Sequence, residues 1–312
     1  MNVATRLSPW FPFALLSAFR RRTPQDSEAP RTLGPRLSSP IGAIGGLFGG
    51  LLGIGGGAAI APLLLLSGTL RPAQVSGTTL AAVLVISSVG TLAYASLGHV
   101  DLGLALPIAL GSVDGSAIGA LTARRLSMGL MLGIFILILP YFAIKEVWPA
   151  LPAPAIATST MALVLLGMAT GFCSGLLGIG GASLVVPSLV AFFLIDHIAA
   201  QGIAMSVALA DSLAGVAVHA RSRNIDYRVL LYIAPVALVT AVMGAMLSDR
   251  LPEVVLRDVF GVFMAVVWFI LVVRWLQDIR HPLAPVASRY PIETVERAFW
   301  HPANAVGKGK TA

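Results

Sequence analysis

The sequence predicts an all-α integral membrane protein made of two homologous halves. Three observations predict it. First, 57% of the 312 residues are hydrophobic and only 11% are charged, with a mean hydropathy of +0.87. Soluble domains carry about 25% charged residues, so a soluble enzyme, a disordered chain and a free nucleic-acid binder are excluded. Second, the apolar residues gather into eight segments near 41–66, 76–97, 102–122, 128–147, 158–190, 200–220, 227–247 and 254–276. Each approaches or exceeds the roughly 20 residues a membrane helix needs. Third, the chain repeats itself. Residues 50–62 read GLLGIGGGAAIAP and residues 175–187 read GLLGIGGASLVVP.

Taken in order, residues 1–40 form a basic arm containing Arg6, Arg20, Arg21, Arg22, Arg31 and Arg36. Its apolar patch, Trp10 to Phe19, is followed by arginines and no small-residue cleavage site, the wrong order for a signal peptide. The arm is expected at a basic cytosolic membrane surface. Membrane repeat 1 covers 41–147. A linker at 148–157 is stiffened by Pro149, Pro152 and Pro154. Membrane repeat 2 covers 158–277, and 278–312 reads as a cytosolic tail. The net charge of +7 lies mostly in the two tails, which suits flanks of a membrane protein better than a basic binding groove.

The repeat keeps one register. Pro62 and Pro187 fall on one another, and the same offset places Val100-Asp101 on Ile225-Asp226, Gly119-Ala120 on Gly244-Ala245, Arg125-Leu126 on Arg250-Leu251 and Phe135 on Phe260. A duplicated membrane core is the signature of secondary transporters.

Gly53-Ile-Gly-Gly-Gly57 resembles a phosphate loop, but lacks the preceding strand and the lysine such a loop requires. Gly46 with Gly50, and Gly49 with Gly53, have the spacing that lets helices approach closely. Three successive glycines do more: they weaken the helix, and broken backbone survives in a bilayer only where it is buried in protein or lines a cavity. A half-helix restarting after each break directs free N–H groups and a positive dipole end inward. That makes an anion site without a charged side chain. The expected substrate-binding set is Gly53, Gly55, Gly56, Gly57, Pro62 and Thr78 in one half, and Gly178, Gly180, Gly181, Ala182 and Pro187 in the other. Thr78, Thr79, Ser87, Ser88 and Ser206 follow the breaks and could donate to an oxyanion, although bonding to their own helix is as common.

Charge placement favours inversion of the halves. With four full spans per half, Arg124-Arg125 falls outside when the N-terminus is inside, against the positive-inside tendency. With 41–66 and 158–190 re-entrant, each half keeps three full spans and the halves are inverted. Arg71, Arg124-Arg125, Arg221, Arg223, Arg228, Arg274 and Arg280 then lie inside with both termini. His99, Asp101, the linker, Asp196 and the cluster from Asp249 to Asp258 lie outside.

Ionisable residues inside a membrane are functional candidates by default. Asp114 and Asp211 sit near mid-span. Their repeat counterparts are Val239 and Ile86, so neither belongs to the duplicated scaffold. Each is a candidate for carrying a coupled proton; the alternative is a structural carboxyl held by Ser112, Ser116 or Ser212. His219 reads as a headgroup-level residue. Arg274 and Trp275 read as interfacial anchors. Asp101 and Asp226 read as helix N-caps. The lone Cys173 excludes an intramolecular disulfide and, set in an apolar run, reads as inert. No catalytic constellation, metal-ligand spacing or nucleotide loop is present. Neither cofactor, metal nor enzymatic activity is expected.

The paired glycine motif followed by a proline resembles the sulfite exporter TauE/SafE family of membrane transporters. The stretch Gly98-His-Val-Asp101, leading to Gly119-Ala-Leu121 and Arg125-Leu126, resembles that family's third span. The likeness covers about 41–277. It implies a multi-pass carrier of the cytoplasmic (inner) membrane for sulfite, sulfoacetate or another organosulfonate. Its glycine motifs fall on Gly53, Gly55, Gly56 and Gly57, and on Gly178, Gly180 and Gly181. Ala182 stands where a third glycine would, Asp114 and Asp211 are unusual in such spans, and the basic arm lies outside the family core. The expected function is secondary transport of a small anion, with proton coupling through Asp211 or Asp114. A passive anion channel and a non-transporting anion-binding receptor or assembly protein are the alternatives. The expected partners are the anion, lipid and a second copy in a homodimer, with no nucleic acid.

Overall fold

The computed structural model describes residues 34–67, 69–70, 72–123, 128–148, 156–177, 181–221 and 223–280. Arg71, Arg124-Arg125, Gly178, Gly180, the basic arm to residue 33, most of the linker and the tail from residue 281 lie outside them. All regular structure among the described residues is helical. Ten helices follow in order: α1 Pro35–Leu52, α2 Gly57–Ser67, α3 Pro72–Ser96, α4 Leu102–Ala123, α5 Met128–Val147, α6 Thr160–Leu177, α7 Ala182–Phe193, α8 His197–Arg221, α9 Tyr227–Arg250 and α10 Glu253–Arg280.

Eight apolar segments are expected from the sequence. The first and fifth are each two helices, parted at the glycine clusters. α2 has 11 residues and α7 has 12, or about 16 and 18 Å at the α-helical rise. The hydrocarbon core is about 30 Å thick, so neither crosses it alone. Five stretches among the described residues are long and apolar enough to cross: Gln74–Ser96, Leu102–Gly119, His197–Arg221, Tyr227–Arg250 and Glu253–Val273. The chain is a multi-pass membrane protein.

Local signals set several boundaries. α1 starts at Pro35, ahead of the expected residue 41, because proline at a first helical position gives up no hydrogen bond. Asp101 Oδ1 accepts from the Gly103 amide at 2.7 Å and caps α4. Asp226 Oδ1 accepts from the amides of Arg228 at 3.0 Å and Val229 at 3.2 Å and caps α9.

The helix pairings cross between the halves. α1 lies along α9 and α6 lies along α4; α3 packs on α8 and α5 on α10. Small residues set the approach. A Cβ at Gly42, Gly46 or Gly50 would meet the carbonyl oxygens of Ile233, Ala237 and Ala241. In the other pairing, Cβ atoms at Gly167 and Gly171 would meet those of Ile108 and Ser112. Without a hydrophobic force between helices in lipid, such backbone approach is what drives association. α3 and α8 are antiparallel: Gly90 lies against Met205, while Gly215 lies against Leu80. The Trp268 indole N–H donates to the Ile136 carbonyl at 3.0 Å and ties α10 to α5.

Candidate functional site

The first break spans Gly53 to Gly56. Gly53, Gly55 and Gly56 have φ of 69°, 69° and 75°, a left-handed conformation that side chains with a Cβ resist. The Ile54 amide still reaches back to the Gly49 carbonyl at 3.2 Å, and α2 restarts with the Ile60 amide on the Gly56 carbonyl at 2.9 Å. Every residue of the break is buried. Gly53 abuts Gln201 of α8, Gly55 abuts Val83 of α3 and Ala208 of α8, and Gly56 presses on Gly45 of α1 and on Ile86 of α3.

The second break is described from Gly181. Its φ is −74°, ordinary helical backbone, and its carbonyl accepts from the Leu184 amide at 3.0 Å to start α7. A Cβ here would stand 2.8 Å from Asp211 Oδ2, with Ser174 and Thr170 next to it. Gly56 and Gly181 therefore have equivalent neighbours: Ile86 in one half and Asp211 in the other occupy one repeat position.

Both breaks meet the same stretch of α8. Ala208 and Asp211 are three residues apart, about 4.5 Å of helix. Asp211 is buried. The Ser112 hydroxyl donates to its Oδ1 at 2.6 Å, while Oδ2 has no hydrogen-bond partner among the described residues. The Gly181 amide is a neighbour of this carboxyl, without the geometry of a directed bond. An acidic group thus sits at the N-terminal end of a half-helix, where the backbone dipole favours negative charge.

The other expected site residues are more dispersed. Gly57 and Ala182 open α2 and α7; Pro62 and Pro187 lie inside them. Thr78 is buried and its Oγ1 accepts from the Asp226 amide at 3.0 Å, linking α3 to the start of α9. Thr79 Oγ1 is buried without a partner among the described residues. Ser87, Ser88 and Ser206 donate to carbonyls of their own helices. Asp114 is exposed on α4, in a row with the exposed Leu106, Leu110 and Ile118. His219 packs beside Gly77, and Cys173 is half-buried with a free thiol. Gly178 and Gly180 lie outside the described residues. Among those residues no three His, Cys, Asp or Glu side chains converge as a metal site requires.

Two buried polar groups escape sequence reasoning. Gln201 Oε1 accepts from the Tyr94 hydroxyl at 2.9 Å and from the Ser248 hydroxyl at 2.6 Å. The Tyr94 hydroxyl also lies 2.7 Å from the Gly50 carbonyl, joining α3, α8, α9 and the end of α1 next to Gly53. The second group is Glu146 with His197, 3.5 Å apart and both buried. Polar residues one per helix leave no spacing to read; a buried glutamine on an alanine-rich helix was the available signal.

Comparison with known proteins gives one consistent answer. The model of the family described as "Sulfite exporter TauE/SafE" matches residues 7–145 and 163–306. The probable membrane transporter protein YunE of Bacillus subtilis is 27% identical over 238 residues, covering 68% of this chain and 87% of the relative. A probable membrane transporter protein of Xylella fastidiosa, strain Temecula1, is 27% identical over 244 residues, covering 74% and 94%. The probable membrane transporter protein YdhB of Bacillus subtilis is 25% identical over 235 residues, covering 72% and 95%. No solved structure matches the chain.

Proposed function

The chain belongs to the sulfite exporter TauE/SafE family of membrane transporters, and on that premise we propose that it is a proton-coupled secondary carrier of a small sulfur-containing anion. Sulfite is the first substrate to test, with sulfoacetate and other organosulfonates next. We read it as a carrier rather than an enzyme, in the cytoplasmic (inner) membrane with both termini cytosolic.

The observation that carries the proposal is Asp211 beside Gly181. An ionised Asp211 occupies the positive end of α7 and repels an incoming anion. Protonation cancels that charge and leaves the α7 N-terminus free for substrate. Anion and proton then enter the site together, and neither is favoured alone. Gly55 brings the first break to the same stretch of α8, so both half-helices can contribute backbone N–H groups.

The inverted arrangement has support of its own. α3 and α8 are repeat equivalents and run antiparallel, which fits a two-fold axis in the membrane plane. The short α2 and α7 fit re-entrant hairpins. Asp114 is exposed on an apolar face of α4, where lipid contact would cost about 2.5–3.5 kcal/mol. A hydrogen-bonding group from a second copy in a homodimer would offset that cost.

The test is sulfite flux into proteoliposomes of the purified protein, with and without an imposed pH gradient. Saturable, gradient-driven flux is expected. Unsaturable flux indifferent to the gradient would make the protein a channel. Binding without flux would make it a receptor.

A further inference from the structure

At the N-terminal end of α8, one helical turn before the Gln201 that abuts Gly53, three helices bring acid and base together in the interior. Glu146 ends α5, His197 begins α8 and Arg257 lies in the second turn of α10. Glu146 and His197 are 3% and 0% exposed, with Oε2 and Nδ1 at 3.5 Å. Glu146 Oε2, both His197 ring nitrogens and Arg257 Nε have no hydrogen-bond partner among the described residues. Arg257 holds Glu253 at 2.8 Å through Nη2. The Phe260 ring stands edge-on to His197 at 5.4 Å.

The scaffold does not require this cluster. The repeat counterpart of Glu146 is the buried Leu271, and those of His197 and Arg257 are Pro72 and Leu132. One half thus fills the Glu146 position with leucine. A buried charge kept where an apolar side chain serves is costly unless it has a task.

We propose that Glu146, His197 and Arg257 form a proton-exchange site, distinct from Asp211, that loads and releases the coupled proton at the N-terminal end of α8. This rests on the carrier reading above. The step is a transfer between Glu146 Oε2 and the His197 imidazole: the carboxylic acid and neutral ring become carboxylate and imidazolium, and the reverse step restores them. Arg257, ion-paired with Glu253, is the positioning group, near enough for its charge to act on an ionised Glu146. The charged groups facing Glu146 are Arg257 and Glu253 from α10, Lys145 from its own helix and His197 from α8; α7, also packed on α5, carries no titratable side chain. His197 is 14 residues from Asp211 on one helix, about 21 Å, so the sites respond to different parts of the pathway.

Proteoliposomes separate the proposal from its premise. Two modes are measured over protein-free vesicles: sulfite exchange at equal pH, and accumulation under a one-unit pH gradient, worth about tenfold per proton. Glu146→Gln and His197→Gln should lose the accumulation and keep the exchange. Glu146→Leu, the residue of the other half, should do the same and serves where glutamine impairs folding. Infrared difference spectra across a pH jump should show a carboxylic-acid band that Glu146→Gln removes and His197→Gln shifts. Full accumulation in the variants overturns the proposal, as does wild-type exchange indifferent to the gradient. A wild type without sulfite exchange refutes the substrate reading instead. The infrared band then decides the cluster: loss in Glu146→Gln supports it, and an unchanged band overturns it.

Discussion

Gly181→Ala should destabilise the protein chiefly through Asp211, with a smaller contribution from Ser174 at 3.3 Å. Gly181 has φ −74°, so alanine fits its backbone without strain. The added Cβ would stand 2.8 Å from Asp211 Oδ2, where 3.4 Å is ordinary contact. Overpacking of this kind costs about 1–3 kcal/mol. Asp211→Ala alone removes the acceptor of the Ser112 hydroxyl, and a buried donor left unpaired costs about 1–3 kcal/mol. In the double variant the overlap is gone, so the two penalties do not add. The expected interaction is about 1–2 kcal/mol in the direction of rescue, inside the range for residues in contact. The assay is equilibrium unfolding in mixed micelles of wild type, both single variants and the double variant. Additivity within about 0.5 kcal/mol would mean that the two residues do not touch, and would remove the geometry on which the carrier proposal rests. The equivalent pair provides an internal comparison. Ile86→Ala clears Ile86 Cδ1 from a Cβ at Gly56, but φ of 75° and the Gly45 carbonyl remain, so rescue there should be small.

Other expectations follow from single contacts. Gly98 has φ of 80° with open space around it, so Gly98→Ala should cost only the left-handed penalty, about 1–2 kcal/mol, and less than Gly56→Ala in the same unfolding assay. Asp226→Ala should cost about 1 kcal/mol through the lost α9 cap, read as a lower unfolding midpoint with sulfite flux retained. Arg124→Cys in a Cys173→Ser background should react with impermeant thiol reagents from the cytosolic side; reaction from the outside contradicts inversion. Gly56→Leu and Gly181→Leu should insert in the membrane and lose transport, and wild-type flux in both would eliminate the glycine breaks as the substrate site.

The backbone features were the legible part of the sequence. Successive glycines weaken a helix wherever they stand, so the parting of 41–66 and 158–190 could be placed within a few residues. Asp101 and Asp226 announced caps because that geometry is local. Asp211 could be picked out as an ionisable residue in an apolar span whose repeat counterpart is isoleucine. Its companion Asp114 satisfied the same criterion yet lies exposed on α4, because sequence does not say which face of a uniformly apolar helix turns inward. Thr78, expected as an anion donor, also accepts from the Asp226 amide, a contact between residues 148 apart in sequence that no local pattern announces. Glu146 stands beside Lys145 at the end of a span, where nothing in the sequence marks it out. Only the convergence of α5, α8 and α10 makes it a buried partner of His197, and no spacing along the chain encodes that convergence.

The two halves share contacts but not conformation. Gly56 and Gly181 are equivalent, yet one is left-handed at φ 75° and the other right-handed at φ −74°. In an inverted-repeat carrier, the opposite access state is reached when each half takes the other's conformation. On the proposed inverted arrangement, Gly181 would become left-handed as Gly56 leaves that region, and glycine is the residue for which both signs of φ cost about the same. The Gly181→Ala, Asp211→Ala double variant tests this where stability cannot. Removal of the overlap restores folding, but alanine still resists the left-handed state by about 1–2 kcal/mol, a slowing of roughly five- to thirtyfold if that state lies on the transport cycle. The expected result is sulfite exchange at equal pH slowed by that factor relative to Asp211→Ala alone, in a protein as stable as Asp211→Ala. Equal exchange rates in the two variants would mean that Gly181 keeps one conformation throughout transport, and that the difference from Gly56 is a fixed asymmetry of the halves.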